Sequence, residues 1–195
     1  MKISIFFEKI ISLFFSKEEH LDVDVDPVAP APIKKESEKK AMVDWSNPKN
    51  NISKYFTVHE ALWLPSWRTY HIPSEEEKKE IIKLAHKMDI IRERIGMPIF
   101  VHVWIRPTYV NQPGHSRHGQ NYNLFIGSTA THSAHISGKA IDFHVNSKSG
   151  PDGCKEMRDK IQPWLEELDV RMENNKGSWI HIDTKPVTGK RFFNP

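Results

Sequence analysis

The chain contains a single cysteine and carries a small net charge, and each of these features excludes some classes of protein. Cys154 is the only cysteine among 195 residues, so no disulfide can form within the chain and no cysteine-based zinc module can be built. The formal net charge of +3 at pH 7 is mildly basic. Such a charge suits polyanionic surroundings but is too weak to indicate a nucleic-acid-binding protein. We therefore expect no nucleic acid as a partner.

A long apolar run is also missing, even at the amino terminus. Residues 1–15 are apolar but contain Glu8 and Lys9 and are too short to cross a bilayer as a helix. Their apolar side chains share one helical face, which predicts an amphipathic segment lying on a membrane or a partner. A degenerate export signal is the alternative, although no small-residue cleavage site follows. Residues 16–43 offer few large apolar side chains and predict a flexible linker, so the globular domain is expected at 44–195.

Helix and strand signals are mixed within this domain without a regular alternation. Ser74 and Glu77 form a capping box ahead of an apolar stripe with helical spacing, and Gly96 is placed to end that helix. The other predicted elements are strands at 99–105 and 139–145, a long loop at 107–131, a helix at 155–168 and a hairpin at 170–183. This mixture predicts an α+β fold.

Histidine and aspartate are concentrated in the segment THSAHISGKAIDFHV, residues 131–145. A catalytic zinc ion takes about three protein ligands from His, Asp or Glu and leaves one position for water. His135 and Asp142 are two candidates, with Gly138 allowing a tight turn between them, and His181 in the apolar segment SWIHID is a third. Taken singly, the two histidines have ordinary explanations. His135 would be a loop residue, and His181 a core histidine bonded to a backbone carbonyl.

Taken together, these residues form a longer pattern. The segment SAHISGKAID has the form Ser-x-His-x-x-Gly-x-Ala-x-Asp, and Trp-x-His follows about forty residues later. The pattern resembles the peptidase family M15, the zinc D-Ala-D-Ala carboxypeptidases and murein endopeptidases, which share their fold with the hedgehog signalling domain. Other segments resemble the compact branch of this family in the same order: YFTVHEALW at 55–63, VHVWIRPTYVN at 101–111 and NYNLFIGSTATHSAH at 121–135. The likeness spans roughly residues 50–185.

The resemblance implies both a fold and a site. The fold would be hedgehog/DD-peptidase-like, an antiparallel sheet flanked by helices, with the zinc site on the sheet. His135, Asp142 and His181 would bind Zn²⁺. Arg106 would be a catalytic residue whose planar guanidinium contacts a carboxylate or carbonyl oxygen of the substrate. The simpler alternative for Arg106 is a surface salt bridge at a strand end.

The residue that would serve as general base does not lie at the position common in the family. Many relatives have an acidic residue three positions before the last histidine, where this chain has Ser178, or a second histidine two positions before it, where this chain has Trp179. In the compact branch a glutamate lies on the preceding strand, and Glu173 matches that place. Glu173 is therefore the candidate catalytic base, with Asp183 or a histidine such as His132 as alternatives. Glu173 could also be an ordinary polar residue at a strand end.

Several remaining positions carry weaker expectations. The Ser-Gly-Tyr-Arg stretch of the family is Val-Trp-Ile-Arg here, which leaves the details of substrate binding open. His132 and His144 flank the predicted ligands and would support the metal or contact the substrate. We interpret His102, His115 and His118 as ordinary polar residues.

The function that the resemblance implies is a zinc-dependent D,D-carboxypeptidase or endopeptidase acting on peptidoglycan stem peptides or cross-bridges. Such members resemble phage lysins and wall-remodelling enzymes, and the basic charge suits a polyanionic cell wall. Residues 1–15 and the linker would hold the domain near a membrane while it reaches the wall. The alternative keeps the fold and the zinc ion without turnover, as a binding or structural module of a virion or a cell surface.

Overall fold

The computed structural model describes residues 42–120 and 132–194. The predicted amphipathic segment 1–15, almost all of the predicted linker 16–43 and part of the predicted loop, 121–131, lie outside the described residues. Within the described part, helices and strands combine in an α+β fold, which confirms the predicted class. None of the helices there has the length and apolar character needed to cross a membrane.

The described part contains three α-helices, two short 3-10 helices and seven strands. The α-helices are α1 (Val58–Leu62), α2 (Glu75–Ile95) and α3 (Gly150–Ile161), and the 3-10 helices are Ala134–Ser137 and Gln162–Trp164. The strands are β1 (Trp63–Leu64), β2 (Thr69–Tyr70), β3 (Ile99–Val103), β4 (Ala140–Val145), β5 (Arg171–Glu173), β6 (Ile180–Asp183) and β7 (Phe192–Phe193).

Five of the strands form the central sheet. β1 and β2 make a separate antiparallel pair, and the larger sheet has the order β3-β4-β6-β5-β7. Its neighbouring strands are antiparallel except β5 and β7, which run in parallel. The sheet is therefore mixed rather than purely antiparallel as predicted. The difference arises because residues 184–191 carry the chain from the end of β6 past β5, so that β7 joins on its far side.

Helix α2 has the bounds that the sequence predicts. The Ser74 hydroxyl accepts a hydrogen bond from the Glu77 amide at 3.2 Å, and the Glu77 carboxylate accepts one from the Ser74 amide at 2.6 Å. Gly96 ends the helix with a left-handed φ of 74°. The apolar stripe is buried in the hydrophobic core at Ile81, Leu84, Ala85, Met88, Ile91 and Ile95. Its opposite side is open to solvent, as an amphipathic helix requires.

Helix α3 differs from the predicted helix at 155–168. It begins at Gly150 and ends at Ile161, and the chain continues as a 3-10 turn through Pro163. Proline has no amide hydrogen and its ring clashes with the preceding helical turn, so the α-helical hydrogen bonds stop there. The apolar spacing predicts five inward side chains: Met157, Ile161, Trp164, Leu165 and Leu168. Four of them are buried, and Trp164 is partly buried against the core.

Strand β3 is shorter than the predicted strand at 99–105. Trp104 and Ile105 are buried beyond its end, and the pairing register with β4 shifts between Val101 and Val103. The shift is a β-bulge that leaves His102 as the extra residue on β3.

Alternation along the strands divides the sheet into an apolar face and a polar face. Ile141, Phe143, Val145, Ile180 and Ile182 are all fully buried in the core that also contains residues of α2 and α3. The intervening residues of β4 and β6 point to the opposite face, because successive side chains of a strand alternate. These residues are Asp142, His144, His181 and Asp183. The predicted ligands on strands therefore share the polar face.

Candidate metal centre

Strand pairing brings two of the predicted ligands together. Asp142 on β4 lies directly opposite His181 on β6 in the antiparallel register. Directly opposed residues point to the same face, so their side chains are neighbours. Asp142 Oδ1 lies 2.8 Å from His181 Nδ1.

His135 reaches the same place from the 3-10 helix before β4. The helix begins after Ser133, whose hydroxyl accepts a hydrogen bond from the His135 amide at 3.4 Å. It ends at Gly138, which has a left-handed φ of 71°. A Cβ atom at Gly138 would lie 2.7 Å from Cγ1 of Ile81 on α2, so only glycine allows this close approach. The predicted tight turn between His135 and the strand is confirmed.

The three donor atoms form a compact triangle. His135 Nε2 lies 3.2 Å from both Asp142 Oδ1 and His181 Nδ1, and the third side is 2.8 Å. Tetrahedral zinc with ligands at 2.0–2.1 Å would hold such atoms about 3.3 Å apart. His135 is fully buried and His181 is 7% exposed. This group could therefore hold a metal ion.

The other nitrogen of each imidazole is held by a neighbouring acceptor. His135 Nδ1 donates to the carbonyl oxygen of Trp104 at 2.8 Å, which leaves Nε2 facing the triangle. His181 Nε2 lies 3.4 Å from Asp183 Oδ2, which leaves Nδ1 facing it. Acceptors of this kind orient metal-binding histidines and raise their basicity. Both rings are thus oriented with one nitrogen toward the triangle, as metal ligands need.

Asp183 is itself held in place by an arginine on the next strand. Arg171 on β5 lies opposite Asp183 and donates to its two carboxylate oxygens at 2.8 and 2.7 Å. Burial alone would raise the pKa of Asp183, but the bonds from His181 and Arg171 lower it to about 2. Asp183 is two residues beyond His181, so the alternation of a strand predicts that both lie on one face, as they do. Arg171 was missed, although it alternates with Glu173 on the polar face of β5.

The charges of the triangle suit a metal-binding site. Burial opposes the charge of Asp142, but hydrogen bonds from His135 and His181 hold the pKa of this carboxyl group well below its usual range. Burial lowers the pKa of His135. The pKa of His181 is also lowered by burial, but Asp142 and Asp183 raise it to about 9. A metal ion would find an ionised carboxylate and a neutral imidazole already in place, and it would displace a proton from His181.

Arg106 lies beside the triangle rather than in an isolated surface pair. Its amide donates to the His135 carbonyl oxygen at 3.0 Å, and its Nη2 atom lies 4.0 Å from Asp142 Oδ2. The buried Nε atom of Arg106 has no hydrogen-bond partner within the described ranges. The guanidinium group therefore keeps donor capacity for an additional oxygen acceptor.

Glu173 lies on the strand next to His181. Met172 on β5 pairs with Ile182 on β6, and one further step of this register brings Glu173 opposite His181. The side chain is half-buried, and Asn175 Nδ2 donates to its Oε2 atom at 3.5 Å. Its negative charge contributes to the raised pKa of His181, after the larger effects of burial, Asp142 and Asp183. Glu173 thus lies near the triangle but is not one of its three members.

The two histidines that flank the predicted ligands, His132 and His144, lie in different surroundings. His132 lies at the start of the 3-10 turn, where its carbonyl oxygen accepts a hydrogen bond from Lys185 Nζ at 3.0 Å. His144 lies on the polar face of β4 and pairs with His102, with 2.5 Å between Nδ1 of His144 and Nε2 of His102. Our interpretation of His102 as an ordinary polar residue missed this pair. The sequence did contain a signal for this pair, because polar residues alternate with apolar ones in both strands and so share one face.

Comparisons of the chain with protein-family models, with curated proteins and with solved structures give no match. The likeness to the peptidase family M15 therefore depends on the residues and motifs quoted above. It stays a prediction. The geometry of the metal centre is a separate observation that does not depend on this likeness.

Proposed function

We propose that the protein is a zinc metallopeptidase of the hedgehog/DD-peptidase type that cleaves peptide bonds in peptidoglycan. The observation that carries this proposal is the buried triangle of His135, Asp142 and His181, with Arg106 and Glu173 beside it. Two imidazoles and one carboxylate are a typical ligand set of catalytic zinc sites, which keep a position free for water. A bound Zn²⁺ ion would polarise the scissile carbonyl group and make a water molecule more acidic.

The substrate must be oriented by the protein, and Arg106 is placed to do so. Its planar guanidinium can donate two parallel hydrogen bonds to a carboxylate or one to a peptide carbonyl oxygen. The distance of 4.0 Å to Asp142 is too long for a hydrogen bond, so this ion pair leaves donors of Arg106 available. A peptide with a free carboxyl end, or a cross-linked peptide presenting a carbonyl group, meets these requirements.

The proton that the departing amine needs would pass through Glu173. A carboxylate beside the ligand triangle can accept a proton from the attacking water and deliver it to the leaving group. Asp183 is less suited to this role because Arg171 occupies both of its oxygens and Asp183 is only 1% exposed. Glu173 is therefore the catalytic base in this proposal.

The proposed substrate class, peptidoglycan peptides, comes from the family resemblance. It agrees with the exposed aromatic side chains and the basic charge of the protein. The segments Ser133–Asp142 and Trp179–His181 are those that resemble murein peptidases. Trp179 is 40% exposed and Phe100 is 48% exposed, so aromatic surface is available near the polar face of the sheet. The mildly basic charge suits a polyanionic wall.

Purified peptidoglycan tests this proposal directly. The full-length protein loaded with Zn²⁺ should release soluble peptides or D-alanine, identified by mass spectrometry. A chelator should stop the release, and added Zn²⁺ should restore it. A protein that binds Zn²⁺ stoichiometrically yet releases nothing from several chemotypes of murein would instead be a non-catalytic binding or structural module.

A further inference from the structure

A second histidine pair lies on the polar face of the sheet. Nε2 of His102 and Nδ1 of His144 are 2.5 Å apart, and neither residue belongs to the ligand triangle. We propose that this pair is a second transition-metal site, in which two imidazoles hold a divalent cation such as Zn²⁺, Ni²⁺ or Cu²⁺. Imidazole nitrogen is a favoured ligand for all three ions.

The geometry of this pair repeats that of the histidines in the ligand triangle. The rings of His135 and His181 have centroids 5.0 Å apart and planes inclined at 66°, and Nε2 of one faces Nδ1 of the other. The rings of His102 and His144 have centroids 4.8 Å apart and planes inclined at 63°, and Nε2 of one again faces Nδ1 of the other. Their nitrogens are 2.5 Å apart instead of 3.2 Å, so the two rings would move apart slightly to hold an ion between them. The sheet thus presents two similar pairs of converging imidazole nitrogens.

The β-bulge explains how His102 reaches His144. Phe100 pairs with His144 and Val101 with Phe143, so a regular ladder would bring His102 opposite Asp142. The bulge gives that place to Val103 and leaves His102 as an extra residue beside His144. Bulges commonly redirect a side chain in this way at binding sites.

The surroundings of the pair favour a bound cation. The Phe100 ring stacks on His144 with 5.2 Å between centroids and 16° between planes, which restrains the imidazole. His102 is exposed, so water can complete the coordination of an ion. Asp142 lies two residues from His144 on the same strand, roughly 7 Å away along the chain, and its negative charge acts on His102. A cation at this pair would therefore be attracted by that carboxylate while the ligand triangle is empty, and this attraction would be lost once the triangle holds Zn²⁺.

The second site should be weaker than the ligand triangle. No third His, Cys, Asp or Glu completes a ligand group with this pair in the part of the chain that the structure describes. Two protein ligands instead of three should reduce the affinity at least about 100-fold, since loss of a supporting residue alone costs 10–100-fold. The two sites should consequently fill one after the other.

Metal titration of the full-length, metal-free protein tests the proposal. Isothermal titration with Zn²⁺ should show two equivalents with separate affinities, and equilibrium dialysis with elemental analysis should give the same stoichiometry. The His102→Ala and His144→Ala variants should each keep the tight equivalent and lose the weak one. His135→Ala should lose the tight equivalent and keep the weak one. The readout is metal content, so it does not depend on peptidase activity.

Matched controls separate this pair from other histidines. His86→Ala on α2 and His115→Ala in the loop after β3 should both keep two equivalents. Circular dichroism checks the fold of each variant, and His102→Gln serves if His102→Ala is misfolded, because glutamine keeps a polar side chain without an imidazole. A single equivalent in the wild-type protein up to millimolar free Zn²⁺ would mean that the pair is only hydrogen-bonded. A weak equivalent that survives in His102→Ala and His144→Ala would also overturn the proposal.

Discussion

Asp142 and His181 face each other across two antiparallel strands, with 2.8 Å between Oδ1 and Nδ1. Both strands are buried on their other face, so the backbone that carries these side chains is held by the core. His135 is held in turn by its bond to the Trp104 carbonyl oxygen. Metal sites built on rigid elements bind with little rearrangement. The triangle should therefore bind a metal ion without refolding of the domain.

The first prediction concerns the ligands. The protein should hold about one tightly bound Zn²⁺ per chain, and His135→Ala or His181→Ala should each abolish this tight binding because two ligands remain. Elemental analysis after dialysis at submicromolar free Zn²⁺ measures the content. His86→Ala, whose imidazole lies on the exposed side of α2, should keep the metal ion. Full zinc content in both ligand variants would show that the assignment is wrong.

The second prediction concerns the catalytic base. Glu173→Gln should retain zinc and fold but lose about 10²–10⁴-fold in turnover of murein peptides, as expected when an acid–base group is removed. Asp183→Asn should do less to turnover, because Asp183 acts on His181 rather than on the substrate. Both are measured as initial rates of peptide release at saturating zinc. A wild-type rate for Glu173→Gln would mean that this residue is structural and that the proton moves through another group.

The third prediction concerns Arg106. Arg106→Lys preserves the positive charge but removes the planar fork, so kcat/KM for a peptide substrate should fall about 10–100-fold while the zinc content stays unchanged. Steady-state kinetics with a synthetic stem peptide measures the effect. Arg68→Lys is the control, since Arg68 lies between β1 and β2, which form the separate two-stranded sheet. Unchanged kinetics in Arg106→Lys would argue against contact with the substrate.

The fourth prediction concerns the turn that carries His135. Gly138→Ala should lower the free energy of unfolding by about 2–5 kcal/mol, the sum of a left-handed backbone with a Cβ atom and an overpacked contact with Ile81. Gly96→Ala is a matched control, because its φ is 74° but nothing lies within 4 Å of the added atom. It should lose only about 1–2 kcal/mol. Urea denaturation measures both, and equal losses would show that the contact with α2 is unimportant.

The fifth prediction concerns the amino-terminal segments. A chain that begins at Asp44 should keep the fold and stability of the domain, because residues 16–43 offer too little apolar surface to enlarge the core. It should lose binding to anionic lipid vesicles if residues 1–15 provide that contact. Thermal unfolding and vesicle co-sedimentation, each against the full-length chain, measure the two effects. A large drop in melting temperature would contradict the predicted linker.

The sequence by itself determined the features that depend on neighbouring residues. The capping box of Ser74, the end of α2 at Gly96 and the turn at Gly138 were all predictable, because each requires particular side chains at a fixed spacing. The α+β class followed from the same local signals. The choice of His135, Asp142 and His181 as ligands came from a motif, and the structure brings these three side chains together.

Only the tertiary structure decided which polar side chains meet across strands. The bond from Arg171 to Asp183 depends on the register between β5 and β6, and the contact of His102 with His144 depends on a bulge in β3. The alternation of polar and apolar residues within a strand indicates which side chains share a face, but which residues of two strands lie opposite each other depends on how those strands pair. The sequence could therefore name the ligands, but the second histidine pair appeared only once the strands were paired.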